Sequence, residues 1–369
     1  MFGTLKNAWK IPDLRKRMIF TFLMLVVYRF GAVIPVPGID KSVIQSMFAG
    51  TAGGLLDFFD MMSGGAFKDF TIFALNIYPY ITASIILQLL AIAIPKLEQI
   101  FKAEDGRKKM AQWTRYVTVI LALIQATAYS VGFFNSAIID QSFLSIVSVV
   151  IVLTAGTSFL MWLGELITEK GIGNGISLII MIGIVSRYPS DFGTMIYQLQ
   201  NGAVSVIEIL LFLVFALFIV VGVIAIQQGE RKVPVQYAKR VVGRKMYGGQ
   251  NTFIPMKVLM AGVMPVIFAS TLLAIPQTMA FFFPSMAEGV QKYFSLSQSP
   301  GIYFYTILNI IFIIFFTYFY TAVQFNPFEY STTLKENGGF IPGIRPGRPT
   351  GDYLNKVLNR ITIAGAVAL

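Results

Sequence analysis

Two basic loops hold the side chains best suited to recognising a charged partner. Arg345 lies in the run FIPGIRPG (340–347), where prolines and glycines brace the backbone around it. Arginine presents a planar fork of donors that matches a carboxylate or a phosphate, which lysine cannot do. A second loop, 228–240, is also rich in lysine and arginine. An apolar membrane core needs no such cations, so we predict that a soluble partner docks on these loops.

The chain lacks the residue types on which much side-chain catalysis depends. Cysteine and histidine are both absent, which excludes thiol nucleophiles, imidazole acid–base chemistry and histidine metal sites. The glycine-rich run 171–175 lacks the lysine and hydroxyl residue of a phosphate-binding loop, so we interpret it as a tight turn. We therefore predict no catalytic residue, no metal and no cofactor, and any energy must come from a partner.

Isoleucines recur at helical spacing in two apolar segments. Ile81 and Ile85 are four residues apart, as are Ile180 and Ile184, so each pair shares a helix face. Such residues usually face lipid or a neighbouring helix. If the two pairs face a shared cavity, they form a hydrophobic constriction that blocks ions by dewetting and yields to an extended chain. Spacing alone leaves both interpretations open.

The composition is typical of a polytopic membrane protein. Of the 369 residues, 56% are hydrophobic and 13% are charged, and the mean hydropathy is +0.70. Soluble domains average about 25% charged residues, and a membrane span needs roughly 20 mainly apolar residues. Candidate spans lie near 18–36, 71–94, 117–134, 143–167, 176–186, 203–226, 258–283 and 302–323, and a further span begins near Ile361.

The distribution of lysine and arginine predicts the orientation of these spans. The cations concentrate in the loops 1–17, 95–116, 168–175, 227–257 and 324–360. The intervening loops carry Lys41, Lys68, Arg187 and Lys292. The positive-inside rule therefore places the N-terminus and all the basic loops in the cytoplasm. This alternation requires 176–186 to count as a span although it is too short to cross alone. We expect the first helix to be retained, because no small-residue cleavage pair follows it.

The spans contain almost no charge, which disfavours two alternative functions. Arg29 and Glu208 lie near span ends, where they can reach the interface. A proton- or sodium-coupled transporter usually keeps ionisable groups near the midplane, and the spans show none there. A small-solute transporter needs a polar site at midplane, for which Gln88 and Asn309 are the only candidates. An intramembrane protease needs a serine with a base or an aspartate pair at depth, and no aspartate lies within a span. A secondary transporter of a small solute remains the alternative hypothesis.

Two spans share features of an inverted-topology repeat. Each of 71–94 and 258–283 carries a proline, Pro79 or Pro265, followed by small hydroxyl residues, and each is the second span of its half. Membrane helices also carry proline and serine without any repeat, because neighbouring groups satisfy the backbone. The pattern is therefore compatible with two opposed halves and does not require them.

A short apolar run lies between the first and second spans. Residues 53–67 are bracketed by glycine pairs that provide hinges, and the run is too short to cross a membrane. It is either a helix on the outer surface or a re-entrant piece, and a hinged apolar piece beside a pore suits a movable stopper.

Several longer motifs together resemble the SecY/Sec61α family of protein-conducting channel subunits. These motifs are PYITASI (79–85), MWLGE (161–165), GIGNGIS (171–177), YAKR (237–240), MAGVMP (260–265) and the Arg345 loop. The resemblance covers the whole chain. It implies an all-α polytopic membrane protein with an hourglass pore between two five-helix halves. Such a protein passes unfolded polypeptides across the membrane and releases apolar segments sideways into lipid.

The resemblance also implies where the pore parts lie. The halves are 1–187, with spans one to five, and 188–369, with spans six to nine; the second and seventh helices form a lateral gate. The implied pore ring consists of Ile81, Ile85, Ile180, Ile184 and Leu272, and Ile267 and Leu273 are alternatives to the last. The implied plug lies near 54–64, and its apolar side chains are Leu55, Leu56, Phe58, Phe59, Met61 and Met62.

The partners implied by the resemblance are those of a protein translocase in the bacterial plasma membrane. They are the SecE and SecG subunits, the SecA motor ATPase, the ribosome, signal peptides, precursor polypeptides and the lipid bilayer. The channel is not an enzyme, and the motor or the translating ribosome supplies the energy. The implied docking residues are Arg231, Lys232, Lys239, Arg240, Arg244, Lys245 and Arg345.

The family has ten spans, whereas this chain stops early in its ninth. We therefore expect a polypeptide truncated before span ten.

Overall fold

The computed structural model describes residues 9–49, 60–61, 63–103, 105–237, 240–242, 245–247, 252–282, 284–294 and 300–369. The described chain is mostly helical, with a few short strands. It divides into two compact units, Met1–Tyr197 with Ala274–Tyr305, and Gln198–Leu273 with Thr306–Leu369. These divisions fall within helices rather than between them.

The helices, in chain order, are α1 (Pro12–Gly31), α2 (Lys41–Ala49), α3 (Tyr78–Ala93), α4 (Pro95–Lys102), α5 (Gly106–Thr127), α6 (Phe143–Lys170), α7 (Gly175–Val185), α8 (Tyr188–Gln200), α9 (Val206–Gln228), α10 (Met264–Phe282), α11 (Pro284–Phe294), α12 (Gly301–Gln324), α13 (Pro327–Glu336) and α14 (Arg348–Ala368). A π-helical turn, Ala128–Phe133, and a 3-10 turn, Asn135–Ala137, follow α5. The strands are β1 (Glu230–Tyr237), β2 (Arg240–Val242), β3 (Lys245–Tyr247), β4 (Thr252–Lys257) and β5 (Gly339–Phe340).

Three described helical stretches are long and apolar enough to cross a membrane: Phe143–Lys170, Val206–Gln228 and Gly301–Glu336. A fourth arises if α3 and α4 count together, although their axes differ by 114°. Pro95 causes that bend, because proline cannot continue the hydrogen-bond ladder and pushes Ile94 into an extended conformation. The sequence predicts more spans than this test recognises. Helix α1 fails it because charged residues occupy its first turns.

Two glycines bring the backbones of α6 and α7 into contact. A Cβ on Gly175 would overlap the carbonyl oxygen of Gly164, and a Cβ on Gly164 would lie 2.9 Å from Ile176 Cγ1. The Thr168 hydroxyl donates to Gly164 O and accepts from the Gly175 amide, both at 2.8 Å. The Asn174 side chain then caps α7. The run 171–175 is therefore a tight turn between helices, as predicted from its sequence.

The core of the first unit is built around aromatic side chains that follow the predicted plug. Phe67 and Phe70 both pack edge-on against Phe134, with ring centroids 5.7 and 4.7 Å apart. Tyr129 of the π-helical turn contacts Phe67 at 5.5 Å. All four side chains are at most 4% exposed. They fix the segment after the plug against α5 and the turns that follow it.

The second unit contains a small antiparallel sheet that the sequence analysis did not foresee. The strand order is β4-β1-β5, with Val233 opposite Ile254 and Tyr237 opposite Gly339. One face of this sheet is buried on a core that also includes helices α13 and α14. That core consists of Val233, Val235, Met256, Phe325, Leu334, Ile341, Leu354 and Leu358. Strands β2 and β3 form a separate hairpin.

Candidate functional site

The predicted ring isoleucines of the first unit lie on two neighbouring helices. Ile81 and Ile85 on α3 are 7% and 4% exposed, and Ile180 and Ile184 on α7 are partly buried. Ile81 and Ile180 line one small cavity, together with Phe67, Leu75 and Tyr78 among others. The structure therefore brings the two predicted helix faces together at this level. Ile85 and Ile184 do not line that cavity.

The cavity is small. Its volume is about 20 Å³, and a buried water needs roughly 10–15 Å³. Its lining is mainly apolar, with the Asn76 and Gln125 side chains at its edge. An apolar space of this size cannot accommodate a hydrated ion. Leu272, the remaining predicted ring residue, is a partly buried residue of α10 in the second unit.

The predicted plug lies mostly outside the described residues. Leu55, Leu56, Phe58, Phe59 and Met62 are among the residues that the structure does not describe. Met61 is described and is 42% exposed. After residue 49 the described chain resumes at Asp60, so the structure shows the later part of the predicted plug and the segment that follows it. We define the base as residues 60–70 without residue 62.

An ion pair attaches this base to the end of α7. Arg187 Nη1 lies 2.7 Å from Asp60 Oδ2, and the Asp60 side chain is 3% exposed. The other carboxylate oxygen, Oδ1, accepts a hydrogen bond from the Lys68 amide at 2.8 Å. Burial raises the pKa of Asp60, and the Lys68 hydrogen bond and the Arg187 charge oppose that rise.

The base also approaches α7 through backbone contact. A Cβ on Gly64 would lie 2.5 Å from Gly183 O and 2.7 Å from the Ser186 hydroxyl. Gly64 also has a φ of 68°, a conformation that favours glycine. On the other side, the Tyr28 hydroxyl of α1 donates to Ser63 O at 3.4 Å. The glycine pair that looks like a hinge in the sequence is therefore a packed joint in this conformation.

The two predicted docking loops of the second unit are joined by the sheet. Gln236 and Tyr237 at the end of β1 pair with Phe340 and Gly339 of β5, just before the Arg345 loop. We call the combination of β1, β5 and the Arg345 loop the basic platform. Its two sequence motifs, which lie in separate loops, thus form one surface.

The Arg345 side chain is exposed on a braced turn. Ile341 is 3% exposed and Ile344 packs on the same core, so the loop is held from below. The Ile344 amide donates to Ile341 O at 3.1 Å, and the Thr350 hydroxyl donates to Arg345 O at 2.9 Å. No described carboxylate forms a salt bridge with Arg345. Its guanidinium is therefore available to a partner.

The structure describes some of the remaining predicted docking residues and not others. Arg231 and Lys232 are exposed on β1. Lys232 pairs with Glu230 at 3.2 Å and lies 4.8 Å from the centre of the Phe253 ring. The backbones of Arg240 and Lys245 belong to the β2–β3 hairpin. Lys239 and Arg244 lie outside the described residues.

Contacts within each unit join loops that the charge alternation assigns to one side of the membrane. Ile39 bridges Ile138, and Asp60 pairs with Arg187. In the second unit, β1 pairs with β5, which joins two loops that the alternation also assigns to a common side. The described residues hold no cluster of acidic side chains suited to a metal ion.

The sequence analysis missed the Asp60–Arg187 pair, although Arg187 is one of few cations predicted to lie outside.

Comparisons with known proteins give one consistent result. A family model described as SecY matches residues 71–369. The chain is 43% identical to the protein translocase subunit SecY of Mycobacterium bovis and 46% identical to that of Halalkalibacterium halodurans. Each alignment covers 100% of this chain and 87% of the relative.

Solved structures share the fold at lower sequence identity. One, described as the structure of a protein conducting channel, has a TM-score of 0.66 at 20% identity and covers 95% of this chain and 83% of that one. Another, described as Sec61 in the canine ribosome-channel complex from the endoplasmic reticulum, has a TM-score of 0.62 at 19% identity, with 96% and 84% covered.

Proposed function

Since this chain belongs to the SecY family, we propose that the cavity between Ile81 and Ile180 lies on its polypeptide-conducting path. The chain is a multi-pass membrane protein and the channel-forming subunit of a protein translocase, which moves secretory polypeptides across a membrane and releases apolar segments into lipid. The observation that carries the proposed path is the meeting of two predicted isoleucine faces at one apolar constriction.

The proposed constriction excludes ions because it is narrow and apolar. Aliphatic side chains form no hydrogen bonds with water, so a gap of about one water volume excludes hydrated ions. The same side chains are displaced by an extended polypeptide, because apolar contact with it replaces contact with each other. Ile85, Ile184 and Leu272 complete the proposed ring, and the segment near 54–64 is the proposed plug. The proposed halves are 1–187 and 188–369.

We assign docking of the energy source to the basic platform. The sequence has no cysteine, no histidine and no phosphate-binding loop, and we propose that a partner drives transport. Arg345, Arg231 and Lys232 present positive charge suited to ribosomal RNA phosphates or to an acidic motor surface. The proposed drivers are the SecA motor and the translating ribosome. The proposed companions are the SecE and SecG subunits, and the proposed location is the bacterial plasma membrane with a cytoplasmic N-terminus.

Site-directed photo-crosslinking tests the path. A photoreactive residue replaces Ile81 or Ile180, and a secretory precursor is stalled during transit through membranes that contain the chain and its partners. Both positions are expected to crosslink to the precursor. The matched control is Ile151 on α6, which is 60% exposed and expected to contact lipid.

Crosslinks from Ile81 and Ile180 to lipid or neighbouring helices alone would contradict the proposed path. Substrate-dependent uptake of a small solute by the reconstituted chain would instead favour the secondary transporter.

A further inference from the structure

The ion pair between Asp60 and Arg187 joins the base of the proposed plug to the end of a ring helix. Asp60 lies within the proposed plug segment near 54–64, and Arg187 follows α7 by two positions. The pair spans 127 positions of sequence and measures 2.7 Å. Because α7 carries Ile180 and Ile184, the pair connects plug and ring directly.

The two partners differ in how much water they reach. The Asp60 side chain is 3% exposed and the Arg187 side chain is 34% exposed. Release of the base would return water to Asp60, whereas Arg187 already has partial access to it. A buried carboxylate pays a large desolvation cost that one ion pair and one amide need not offset.

The charges around Asp60 are few. Lys68 and Arg187 favour its charged form, and Asp69 opposes it. Tyr28 of α1 donates a hydrogen bond to Ser63 O of the base. Burial dominates and raises the pKa of Asp60, so the base holds the neutral carboxyl more easily than the carboxylate. This agrees with the geometry, in which the Arg187 guanidinium and the Lys68 amide contact a carboxylate whose side chain is 3% exposed.

We propose that Asp60 and Arg187 form a weak latch between the base and the end of α7. Arg187 stabilises the docked base, and the buried charge of Asp60 favours its release. The proposal rests on the proposed function, since it assigns both residues to positioning the plug. The two residues therefore have opposite effects on opening. An ordinary stabilising salt bridge would give effects of the same sign.

Three variants separate these cases. Arg187→Gln leaves the Asp60 charge buried without its partner. Asp60→Asn removes the charge but keeps an Oδ1 acceptor for the Lys68 amide. The double variant removes both charges. We expect Arg187→Gln to destabilise the docked base, Asp60→Asn to stabilise it, and the double variant to resemble Asp60→Asn.

Resting ion conductance in planar bilayers measures docking without a precursor. The chain is reconstituted with SecE and SecG. Arg187→Gln is expected to raise the resting conductance about tenfold, since loss of one partner of a buried pair leaves an uncompensated charge. Asp60→Asn and the double variant are expected to conduct no more than the wild type. In SecA-driven export, Asp60→Asn is expected to slow precursor entry.

The pH dependence of the resting conductance distinguishes the latch from a purely structural ion pair, which would not produce it. Neutral Asp60 is the better tolerated form in the docked base, so protonation favours docking. The conductance of Arg187→Gln is therefore expected to fall as the pH is lowered through the raised pKa of Asp60, and to return when the pH rises. The double variant has no carboxyl at this position and is expected to lack that response.

The pair Arg115–Glu165 serves as the matched control. Its Nη2–Oε2 distance is also 2.7 Å, but it joins α5 to α6 near their predicted cytoplasmic ends. Arg115→Gln is expected to leave resting conductance unchanged. An equal rise in resting conductance for Arg187→Gln and Asp60→Asn, or no change in either variant, would overturn the proposed latch. If the wild-type complex exports no precursor, the proposed function fails instead.

Discussion

At the scale of residues, Arg345 shows how neighbouring residues hold an exposed side chain in place. Its neighbours Ile341 and Ile344 face the core, and Thr350 bonds its carbonyl oxygen, so the side chain projects from a fixed backbone. A guanidinium in this position gains paired, directional hydrogen bonds with little loss of backbone freedom. The loop therefore contributes geometry as well as charge.

Replacement of Arg345 by glutamate is expected to reduce SecA-driven export about tenfold or more, because a like charge would face an acidic docking surface. The export rate of Arg345→Lys is expected to lie between those of the wild type and Arg345→Glu, since lysine keeps the charge but cannot form paired hydrogen bonds. Export rates into membrane vesicles, corrected for the amount of channel, measure the effect.

The control for this prediction is Lys292→Glu, an exposed cation of α11 on the predicted outer side. Wild-type export by Arg345→Glu would remove the docking role from this residue.

The residue scale also shows where sequence reasoning stops. The spacing of Ile81 and Ile180 within their own helices was visible, and the structure places both at one cavity. The pairing of Asp60 with Arg187 was not visible, because periodicity reports only neighbours along one element. Most of the predicted plug side chains lie outside the described residues, and their role stays a prediction.

At the scale of elements, the contact between α6 and α7 depends on two glycines. Small residues let membrane helices approach closely, and here the backbones touch at Gly164 and Gly175. The short α7 is thereby held by α6 and by its Asn174 cap, although its 11 residues cannot span a membrane alone.

Gly175→Ala is expected to destabilise the first unit by about 1–3 kcal/mol, since the new methyl group would overlap a carbonyl oxygen that cannot move freely. The temperature of thermal aggregation in detergent measures this loss. Gly222→Ala on α9 provides the comparison, because a Cβ there meets no atom within 4 Å. An equal shift for both variants would contradict the packing argument.

The helices were largely predictable from apolar runs, whereas the sheet was not. Strand β1 contains charged residues and Pro234, and its partner β5 has two residues. Pro234 argues against a strand in the first case, and β5 is too short to show any alternation. The pairing of β1 with β5 also joins two loops that are distant in sequence, which local patterns do not reveal.

At the scale of the whole molecule, the family assignment confirms the predicted all-α membrane channel. The order of motifs along the chain carried that prediction, and hydropathy set only the broad class. The number of spans is not settled by helix length, because bent and charged helices fall below a simple threshold.

The predicted orientation can be tested directly, since the chain has no cysteine. A cysteine at Lys292 is expected to react with a membrane-impermeant thiol reagent from outside intact cells. A cysteine at Lys335 is expected to react only after permeabilisation. The extent of labelling, read by gel shift, gives the sidedness, and the reverse pattern would invert the topology.

The pairing of β1 with β5 also determines when the sheet can be completed during synthesis of the chain. Tyr237 and Gly339 are separated by roughly 100 residues, which a bacterial ribosome adds in roughly 5 to 20 s at about 5–20 residues per second. Until Gly339 has been synthesised, the first basic loop has no sheet partner on one edge and the Arg345 loop does not exist. A half-made chain therefore cannot present an assembled basic platform, and under the proposed docking role an unfinished channel would not recruit a motor before it can conduct.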